Sequence, residues 1–169
     1  MISAIVAVDE NWGIGSNGDL LEKIPEDMKW FRLLTHERTV LMGRKTWDSL
    51  PKKPLPDRLN LVITRGERKF DDMTVFIDME EAKIRAREAS KDPEDEWFII
   101  GGGQIYKELL PFCDRVYVTK IYTSHENVDT YFPNLDEPEE WNTWKVVHQS
   151  KTKIYNNILY QFWTYDRIN

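Results

Sequence analysis

Hydrophobic and polar residues are distributed along this chain in a way that predicts short buried strands alternating with helices. Continuous apolar or β-branched runs are typical of buried strands; they occur in ISAIVAV, TVLMG, LNLVIT, MTVFI, WFII and RVYVTKIYT, the last predicted to have alternating faces. Pro25 is expected to open a helix, because proline is favoured at the first helical position. Further helices are expected in RKTWDSL, EEAKIRAREAS and QIYKELL.

Two local signals sharpen these predicted boundaries. Asp78, with Glu81 three residues later, resembles a capping box at the start of the third helix. The segments TWKVVHQSK and NILYQFWTYDRI are predicted to form a closing hairpin that turns at YNN.

The order of these elements predicts an α/β fold. Strands that alternate with helices imply a twisted, mostly parallel central sheet covered on both faces. We expect about eight strands, including an antiparallel C-terminal strand, and about four flanking helices. Because the sequence contains no internal repeat, low-complexity tract or linker, residues 1–169 are predicted to form one domain.

The composition narrows the class of protein and its location. With 41% hydrophobic and 31% charged residues, it is that of a soluble globular protein, and no apolar run approaches a membrane span. The opening MISAIVAV is short, lacks a basic leader and meets Asp9, so it predicts a strand and not a signal peptide. Cys113 is the only cysteine, which excludes an internal disulfide and fits a reducing cytoplasm.

Charge and histidine placement argue against two further classes. The net charge is −6, and no stretch concentrates Lys and Arg with aromatic residues, so nucleic-acid binding is not expected. The three histidines, His36, His125 and His148, are far apart and lack metal-ligand spacing. We therefore predict no metal site and assign the histidines no role.

Two strand-to-helix junctions have the chemistry of phosphate-binding turns. In LMGRKTW a strand runs into Gly43, and Arg44 begins a helix whose free N–H groups suit phosphate. In IIGGGQIY three glycines let the backbone approach a ligand closely. Either junction alone could be a tight connection, but the pair favours a dinucleotide. The sequence matches neither the P-loop nor the Gly-x-Gly-x-x-Gly fingerprint.

The helix at Pro25 carries two adjacent carboxylates that are predicted to differ. Its apolar stripe consists of Ile24, Met28, Phe31 and Leu34. Asp27 lies on this stripe, where a carboxylate loses hydration and its pKa should rise. Asp27 could instead be a first-turn acid that complements the helix dipole, as we expect of Glu26, which is predicted to be a solvated charge.

Together these pieces resemble dihydrofolate reductase of the bacterial chromosomal type over essentially the whole chain. The motifs that carry the resemblance are MISAIVAVD, GIG, IPEDMKWF, MGRKTW, PLPDR, LVITR, IIGGGQIY, VYVTKI and DTYFP. The resemblance implies NADPH-dependent reduction of 7,8-dihydrofolate to 5,6,7,8-tetrahydrofolate, in support of one-carbon metabolism and thymidylate synthesis. It also implies a cytoplasmic monomer that antifolate inhibitors bind, with no nucleic-acid or membrane partner.

The resemblance implies substrate-binding roles for the residues that match family motifs. Asp27 is the single active-site acid, which hydrogen-bonds the pterin's amidine edge and promotes ring protonation, and Thr119 shares this contact. Arg58, in PLPDR, pairs with the carboxylate of the substrate's glutamate. The remaining substrate-binding positions are Ile5, Val6, Ala7, Met28, Phe31, Leu50, Leu55, Ile100 and Tyr106.

The resemblance also implies an NADPH site. Its positions are Ala7, Ile14, Gly15, Gly43, Arg44, Lys45, Thr46, Ser49, Thr64, Arg65, Ile100, Gly101, Gly102, Gly103, Gln104, Ile105 and Tyr106. The peptide between Gly101 and Gly102 is expected to be cis. The connection formed by residues 9–24 is expected to close over the nicotinamide and to be steadied by Asp129.

Three positions depart from the family pattern. Glu22 stands where the family often has tryptophan near the active-site acid; it would either raise the pKa of one carboxylate or point outward. Gln104 stands where an arginine often helps hold the cofactor's 2′-phosphate, a task left to Arg44 and Arg65. Val128 stands where some relatives have glycine.

Two other functions are alternatives. A same-fold pyrimidine reductase of riboflavin synthesis would keep the cofactor turns but needs neither Asp27 nor Arg58. A non-catalytic nucleotide-binding protein would also have no use for Asp27.

Overall fold

A computed structural model of the chain describes residues 1–16, 19–66, 70–71, 73–137 and 144–168, and these contain thirteen strands and four α-helices. In chain order they are β1 (Ile2–Val8), β2 (Gly13–Ser16), β3 (Asp19–Leu20), α1 (Pro25–Thr35), β4 (Thr39–Gly43), α2 (Arg44–Ser49), β5 (Leu59–Ile63), β6 (Phe70–Asp71), β7 (Thr74–Ile77), α3 (Met79–Ala89), β8 (Trp97–Ile99), α4 (Gly103–Leu109), β9 (Arg115–Ile121), β10 (Thr130–Tyr131), β11 (Trp144–Gln149), β12 (Lys153–Tyr155) and β13 (Ile158–Arg167). A short 3-10 turn (Leu110–Phe112) follows α4.

The central sheet has the strand order β11-β13-β9-β1-β8-β4-β5-β7-β6, and β12 pairs with β13. Neighbours from β9 to β7 are parallel, whereas β13 is antiparallel to β9, and β11 to β13. Within the described ranges eight strands run from β11 to β7, and the short β6 and β12 extend them. The predicted sheet is confirmed. A smaller sheet has the order β10-β2-β3.

Different helices cover the two faces of the central sheet. One core cluster joins alternate residues of β1, β4, β5, β7 and β8 to α3 and α4. The other joins intervening strand residues to α1 and α2. Ile5 and Val6 are neighbours in β1 and belong to different clusters, because successive side chains of a strand point to opposite faces. The four predicted helices are therefore confirmed as a covering on both faces.

The prediction of alternating faces for β9 is confirmed, since Val116 and Val118 belong to the core cluster on the α3 and α4 side and Tyr117 to the cluster on the α1 and α2 side. Residues 116–119 are buried in succession. The reason is that β9 lies between β1 and β13 inside the sheet and both of its faces are covered.

The local boundary signals agree with the structure. Pro25 occupies the first turn of α1, and the side chain of Asp78 accepts a hydrogen bond from the N–H of Glu81 at 2.8 Å. Asn156 and Asn157 turn the closing hairpin with positive φ angles of 47° and 62°, which asparagine tolerates. The helices of the described residues are at most 11 residues long, and none of these helices could cross a membrane.

Candidate active site

Four strand ends meet at one edge of the central sheet. Because β1, β8, β4 and β5 are parallel and adjacent, their carboxyl ends lie side by side. Ala7 lies near this end of β1, Gly43 ends β4, and Ile100 and Thr64 follow β8 and β5. Ligands of open α/β sheets bind beyond this edge. The structure therefore brings the predicted site residues of separate motifs to one place.

The two glycine turns at this edge are in direct contact. The N–H of Gly43 donates to the carbonyl of Gly101 at 2.8 Å, and a Cβ on Gly102 would lie 3.6 Å from the Thr46 hydroxyl. Neither α2 nor α4 has a capping side chain, so their first N–H groups remain open to another acceptor. The expected cis peptide between Gly101 and Gly102 is confirmed.

The second glycine turn also packs against the smaller sheet. Gly101 has a φ of 116°, a conformation that side chains rarely adopt. A Cβ on Gly103 would lie 2.4 Å from the methyl carbon of Thr130 in β10. Thr130 pairs with Gly15 of β2. The turn is thereby linked to the connection that carries Ile14 and Gly15.

Asp27 lies in the first turn of α1 and faces the central sheet. Its Oδ1 accepts a hydrogen bond from the Thr119 hydroxyl at 2.5 Å. Thr119 is buried in β9, next to Ala7 of β1. Burial raises the pKa of the Asp27 carboxyl, and the hydrogen bond from Thr119 opposes that shift. The prediction that Asp27 lies on the inner side of the helix with a raised pKa is confirmed.

Glu26 has partners that the sequence did not reveal. It accepts a hydrogen bond from the Tyr160 hydroxyl, and its Oε1 lies 3.0 Å from Nζ of Lys153. The hydrogen bonds from Tyr160 and Lys153 lower the pKa of the Glu26 carboxyl. The prediction of a solvated charge is right about exposure, since 45% of this side chain is accessible, but incomplete, because the side chain joins α1 to the closing hairpin.

Five of the predicted substrate-binding residues belong to one apolar cluster. They are Ile5, Phe31, Leu50, Leu55 and Ile100, of which all but Ile5 are only partly buried. The side chain of Val6 is not among them, since it lies in the core on the α3 and α4 side. Ala7 packs against a third cluster, to which Ile24 belongs, and Met28 is 57% exposed on α1.

Tyr106 is buried in the core on the α3 and α4 side of the sheet. Its hydroxyl donates to the carbonyl of Ile5 at 2.7 Å. Burial and the nearby charge of Asp27 raise the pKa of the phenol. Tyr106 is therefore a permanent donor, and it fixes the backbone of β1 at the position where Ile5 faces the apolar cluster.

Arg58 is buried, and its guanidinium is held by α1 and by its own loop. Nε donates to the Thr35 hydroxyl at 2.8 Å, while the terminal nitrogens donate to the carbonyls of Pro56 at 2.5 Å and Arg32 at 3.4 Å. A guanidinium has five N–H donors, so these contacts leave one on each terminal nitrogen. A carboxylate ligand binds an arginine through two such donors.

Two positioning residues for Arg58 were missed from the sequence. Thr35 is fully buried, and its hydroxyl also donates to the carbonyl of Phe31 at 2.8 Å. Asn60 is fully buried and hydrogen-bonds the backbone of Leu55 and Arg58, which braces the PLPDR loop. Both are polar residues in apolar surroundings, and this is the signal that could have singled them out.

The polar residues on the glycine-turn side are mostly exposed. Arg44 pairs with Asp48 at 3.2 Å and lies over the ring of Phe76. Lys45 and Arg65 are exposed, and the amide of Gln104 donates to Glu108 at 3.3 Å. The hydroxyl of Ser49 donates to Thr46, and that of Thr64 accepts from Gly66. Exposed ion pairs contribute little to the stability of the folded protein. Arg44 can therefore exchange Asp48 for an anionic ligand at little cost.

Comparison with known proteins identifies the family that has Asp27 and the two glycine turns at the carboxyl edge of such a sheet. A model of the dihydrofolate reductase family matches residues 1–167. The chain belongs to the dihydrofolate reductase family. Family membership identifies it as an enzyme and agrees with the resemblance carried by the motifs.

Individual members of the dihydrofolate reductase family are similar over nearly the whole chain. Identity to dihydrofolate reductase of Bacillus subtilis is 37% over 172 residues, which cover 100% of this chain and 96% of that protein. Identity to dihydrofolate reductase of Heliothis virescens is 33% over 183 residues, covering 99% and 97%. The bifunctional dihydrofolate reductase-thymidylate synthase of Daucus carota is 39% identical over 181 residues, covering 97% of this chain and 33% of that protein. The family match and the full-length similarity to the Bacillus subtilis protein support a bacterial-type dihydrofolate reductase.

The connection between β1 and α1 is joined to β10 in this member of the dihydrofolate reductase family. The N–H of Asp129 donates to the carbonyl of Gly15 at 3.1 Å, and Tyr131 pairs with Gly13. The Asp129 carboxylate accepts from the Thr130 hydroxyl at 2.8 Å. Residues 17 and 18 of this connection, Gly18 among them, lie outside the described residues.

Glu22, the departure from the family's frequent tryptophan, contacts a histidine. Its Oε1 lies 2.9 Å from Nε2 of His125. His125, to which the sequence analysis assigned no role, also contacts Asp9. Within the described ranges, no cluster of three or more His, Cys, Asp and Glu side chains is arranged to hold a metal ion.

Proposed function

We propose that this protein reduces 7,8-dihydrofolate to 5,6,7,8-tetrahydrofolate with NADPH as hydride donor. The observation that carries the proposal is the inward-facing Asp27, hydrogen-bonded to Thr119 beside an apolar cluster at the carboxyl edge of the sheet. A reductase of this family needs one acid at the pterin and an otherwise dry cleft for hydride transfer. Family membership supports this reaction.

In the proposed mechanism, Asp27 binds the pterin through its amidine edge and promotes protonation of the ring. A carboxylate can accept two N–H bonds from that edge while Thr119 holds its Oδ1. Because burial raises the pKa of Asp27, this pKa lies closer to neutral pH than that of an exposed aspartate. Thr119 fixes the direction in which the carboxylate faces.

The apolar cluster and Arg58 bind the rest of the substrate. Phe31, Leu50, Leu55 and Ile100 are partly buried and offer apolar surface to the pterin and benzoyl rings, to which Met28 adds exposed surface. Through its remaining donors, Arg58 pairs with the substrate's glutamate carboxylate. Its burial against Thr35 makes this pairing stronger than that of a solvated arginine, because fewer waters compete for the donors.

The two glycine turns fit NADPH. A Cβ would fill the space at Gly43, where it would lie 2.9 Å from Ile105, so only glycine leaves the backbone accessible there. When bound, NADPH supplies the hydride. The backbone of residues 101–103, with Thr46 and Ser49, binds the pyrophosphate. Arg44 and Arg65 supply the positive charge for the 2′-phosphate in place of the family's arginine at Gln104.

The connection of residues 9–24 excludes water from the nicotinamide side. Ile14 is buried, and it lines a small cavity together with Ala7. Tyr106 holds the β1 backbone behind them. These residues orient the reduced ring and keep water from the transferred hydride.

We also propose that the chain acts as a single-domain cytoplasmic monomer whose site binds antifolates and neither nucleic acid nor membrane. The net charge of −6 and the single, buried Cys113 support this assignment. The pyrimidine reductase and the non-catalytic nucleotide-binding protein are not favoured, because neither requires the pairing of Asp27 with Thr119.

The test is whether purified protein oxidises NADPH with dihydrofolate as the sole acceptor. The loss of NADPH absorbance measures the reaction. We expect turnover that an antifolate abolishes. A ribosylated aminopyrimidine offered as acceptor is expected to give none. Folded protein that oxidises NADPH only with the pyrimidine, or with neither acceptor, would exclude the proposed function.

A further inference from the structure

Asp9, His125 and Glu22 form a continuous row of side chains, which we name the imidazole bridge. Nε2 of His125 lies 2.9 Å from Oε1 of Glu22, and Nδ1 lies 3.3 Å from Oδ2 of Asp9. The other oxygen of Asp9 accepts the N–H groups of Asn11 and Gly13 at 2.9 and 2.8 Å. The mechanism proposed above uses none of the three side chains.

The geometry of the imidazole bridge requires a protonated ring. An ionised carboxylate only accepts hydrogen bonds, and a neutral imidazole carries one N–H. Both ring nitrogens of His125 face carboxylate oxygens, so both contacts exist together only in the imidazolium. Burial opposes the charged ring, but the hydrogen bonds and charges of Glu22 and Asp9 outweigh it and raise the pKa of His125.

The imidazole bridge joins the two ends of one connection to a second connection at the proposed nicotinamide side of the site. Asp9 starts the connection between β1 and α1, Glu22 lies near its end, and His125 belongs to the connection between β9 and β10. Together they line a cavity of about 10 Å³, room for about one water. The other lining residues are Ala7, Val8, Gly13, Ile14, Leu21 and Ile121, none of which titrates.

We propose that His125 is a positioning residue for hydride transfer. By donating to Glu22 and Asp9 together, it holds both ends of the β1–α1 connection at the sheet edge and so fixes Ile14 in the cavity that it lines with Ala7. This role rests on the proposed function, because Ile14 and Ala7 are the residues assigned to the nicotinamide. His125 itself contacts neither substrate nor cofactor.

Loss of one contact should slow hydride transfer more than it weakens binding. The amide of glutamine donates from one end only, so His125→Gln keeps one carboxylate contact and loses the other. We expect single-turnover hydride transfer to slow about tenfold, below the roughly hundredfold cost of an ångström-scale displacement. The KM for dihydrofolate should change little, since the apolar cluster and Arg58 are separate from the bridge.

The pH profile separates positioning from simple structural support. As pH rises through the pKa of His125, the ring loses one of its two donors and the wild-type hydride-transfer rate should fall towards that of His125→Gln. In the pH–rate profile of His125→Gln this fall should be absent, whereas the change in rate caused by titration of Asp27 should remain. His148→Gln is the matched control, because His148 is exposed on β11; it should retain the wild-type profile.

Ring protonation is measured independently by imidazole ¹⁵N NMR of the whole protein. With three histidines in the chain, the His125 signal is identified by its loss in His125→Gln. We expect both nitrogens to be protonated at neutral pH, and Glu22→Gln to lower the His125 pKa and move the rate limb to lower pH. The Glu22 variant also serves if His125→Gln does not fold.

Two outcomes would overturn the positioning role: a neutral His125 ring at neutral pH, or a His125→Gln profile that matches wild type. Wild-type protein that shows no turnover would overturn the proposed function and this role with it. In that case a protonated His125 ring would show that the imidazole bridge exists and that only the proposed reaction is wrong.

Discussion

Glu26 and Asp27 are consecutive residues of α1 whose carboxyl pKa values move in opposite directions. Tyr160 and Lys153 lower the pKa of Glu26, whereas burial raises that of Asp27. One helical step, about 100° of rotation, separates a carboxylate bound by the closing hairpin from one turned into the sheet. Where the environment shifts the pKa values of two neighbouring carboxyl groups in opposite directions, the difference commonly identifies the functional group.

The first prediction concerns the proposed acid. Asp27→Asn should lose about 10²-fold or more in turnover at neutral pH, because it removes the group that promotes ring protonation. Activity should recover partly as pH falls, since solvent protons can then protonate the substrate. Steady-state rates over a pH series measure this, with Glu26→Gln as the neighbouring control that retains most activity. Equal rates for Asp27→Asn and wild type at neutral pH would remove Asp27 from the mechanism.

The same substitution should stabilise the protein. A carboxyl group whose pKa is raised on folding favours the folded state in its protonated form, and that stability is lost as pH rises through the folded-state pKa. At neutral pH Asp27 therefore carries a cost that asparagine removes, while its Oδ1 can still accept from Thr119. We expect the Tm of Asp27→Asn to exceed that of wild type by roughly 2–4 °C at pH ~7, and the difference to vanish in acid. A lower Tm at neutral pH would contradict this prediction.

The second prediction tests the hydrogen bond to the acid. Thr119→Val removes the hydroxyl that opposes the upward pKa shift of Asp27, so the Asp27 limb of the pH–rate profile should move to higher pH. A hydrogen bond to a charged group contributes about 1.5–3 kcal/mol, and turnover should fall correspondingly by roughly tenfold or more. Thr119→Ser keeps the hydroxyl and should keep the wild-type limb. If valine and serine gave the same profile, the hydroxyl would have no part in setting the pKa.

The third prediction concerns Thr35, which no sequence motif marks. Thr35→Val keeps the shape of the side chain but removes the acceptor of the Arg58 Nε–H. We expect a stability loss of about 1–3 kcal/mol from the unpaired buried donor. The KM for dihydrofolate should rise while kcat changes little, because Arg58 holds the end of the substrate remote from the hydride. A fall in kcat with unchanged KM would place Arg58 elsewhere in the mechanism.

The fourth prediction exploits the contact between the second glycine turn and β10. Gly103→Ala should raise the KM for NADPH about tenfold, because its Cβ would meet the Thr130 methyl at 2.4 Å and displace the turn. Adding Thr130→Ser removes that methyl, keeps the hydroxyl bonded to Asp129, and should restore much of the affinity. Failure of the double variant to recover would mean that the clash is not the cause.

Most of the fold could be predicted because its strands and helices are determined by the pattern of apolar and polar residues close together in sequence. The apolar runs become strands, and Pro25 and Asp78 mark helix starts whose chemistry depends on neighbours in sequence. The inward turn of Asp27 could be predicted for the same reason, since helical spacing alone places it beside Ile24. The burial of both faces of β9 could not be predicted, because it depends on which strands lie beside it in the sheet.

The residues that were missed act through partners distant in sequence. Thr35 and Arg58 are 23 positions apart, and His125 lies 103 positions from Glu22. No periodicity connects such pairs, and each side chain taken alone is an ordinary polar residue. Glu26 shows the same limit, because its exposure could be predicted from the helix but Tyr160 and Lys153 could not.

Strand β13 carries no proposed catalytic side chain, yet it supports both Thr119 and the helix turn that holds Asp27. Phe162 lies beside Thr119 in the sheet register, and Tyr160 hydrogen-bonds the residue that precedes Asp27. During synthesis on the ribosome, α1 and β9 emerge long before this strand does. The contacts that support Asp27 and Thr119 are therefore complete only after β13 has paired with β9.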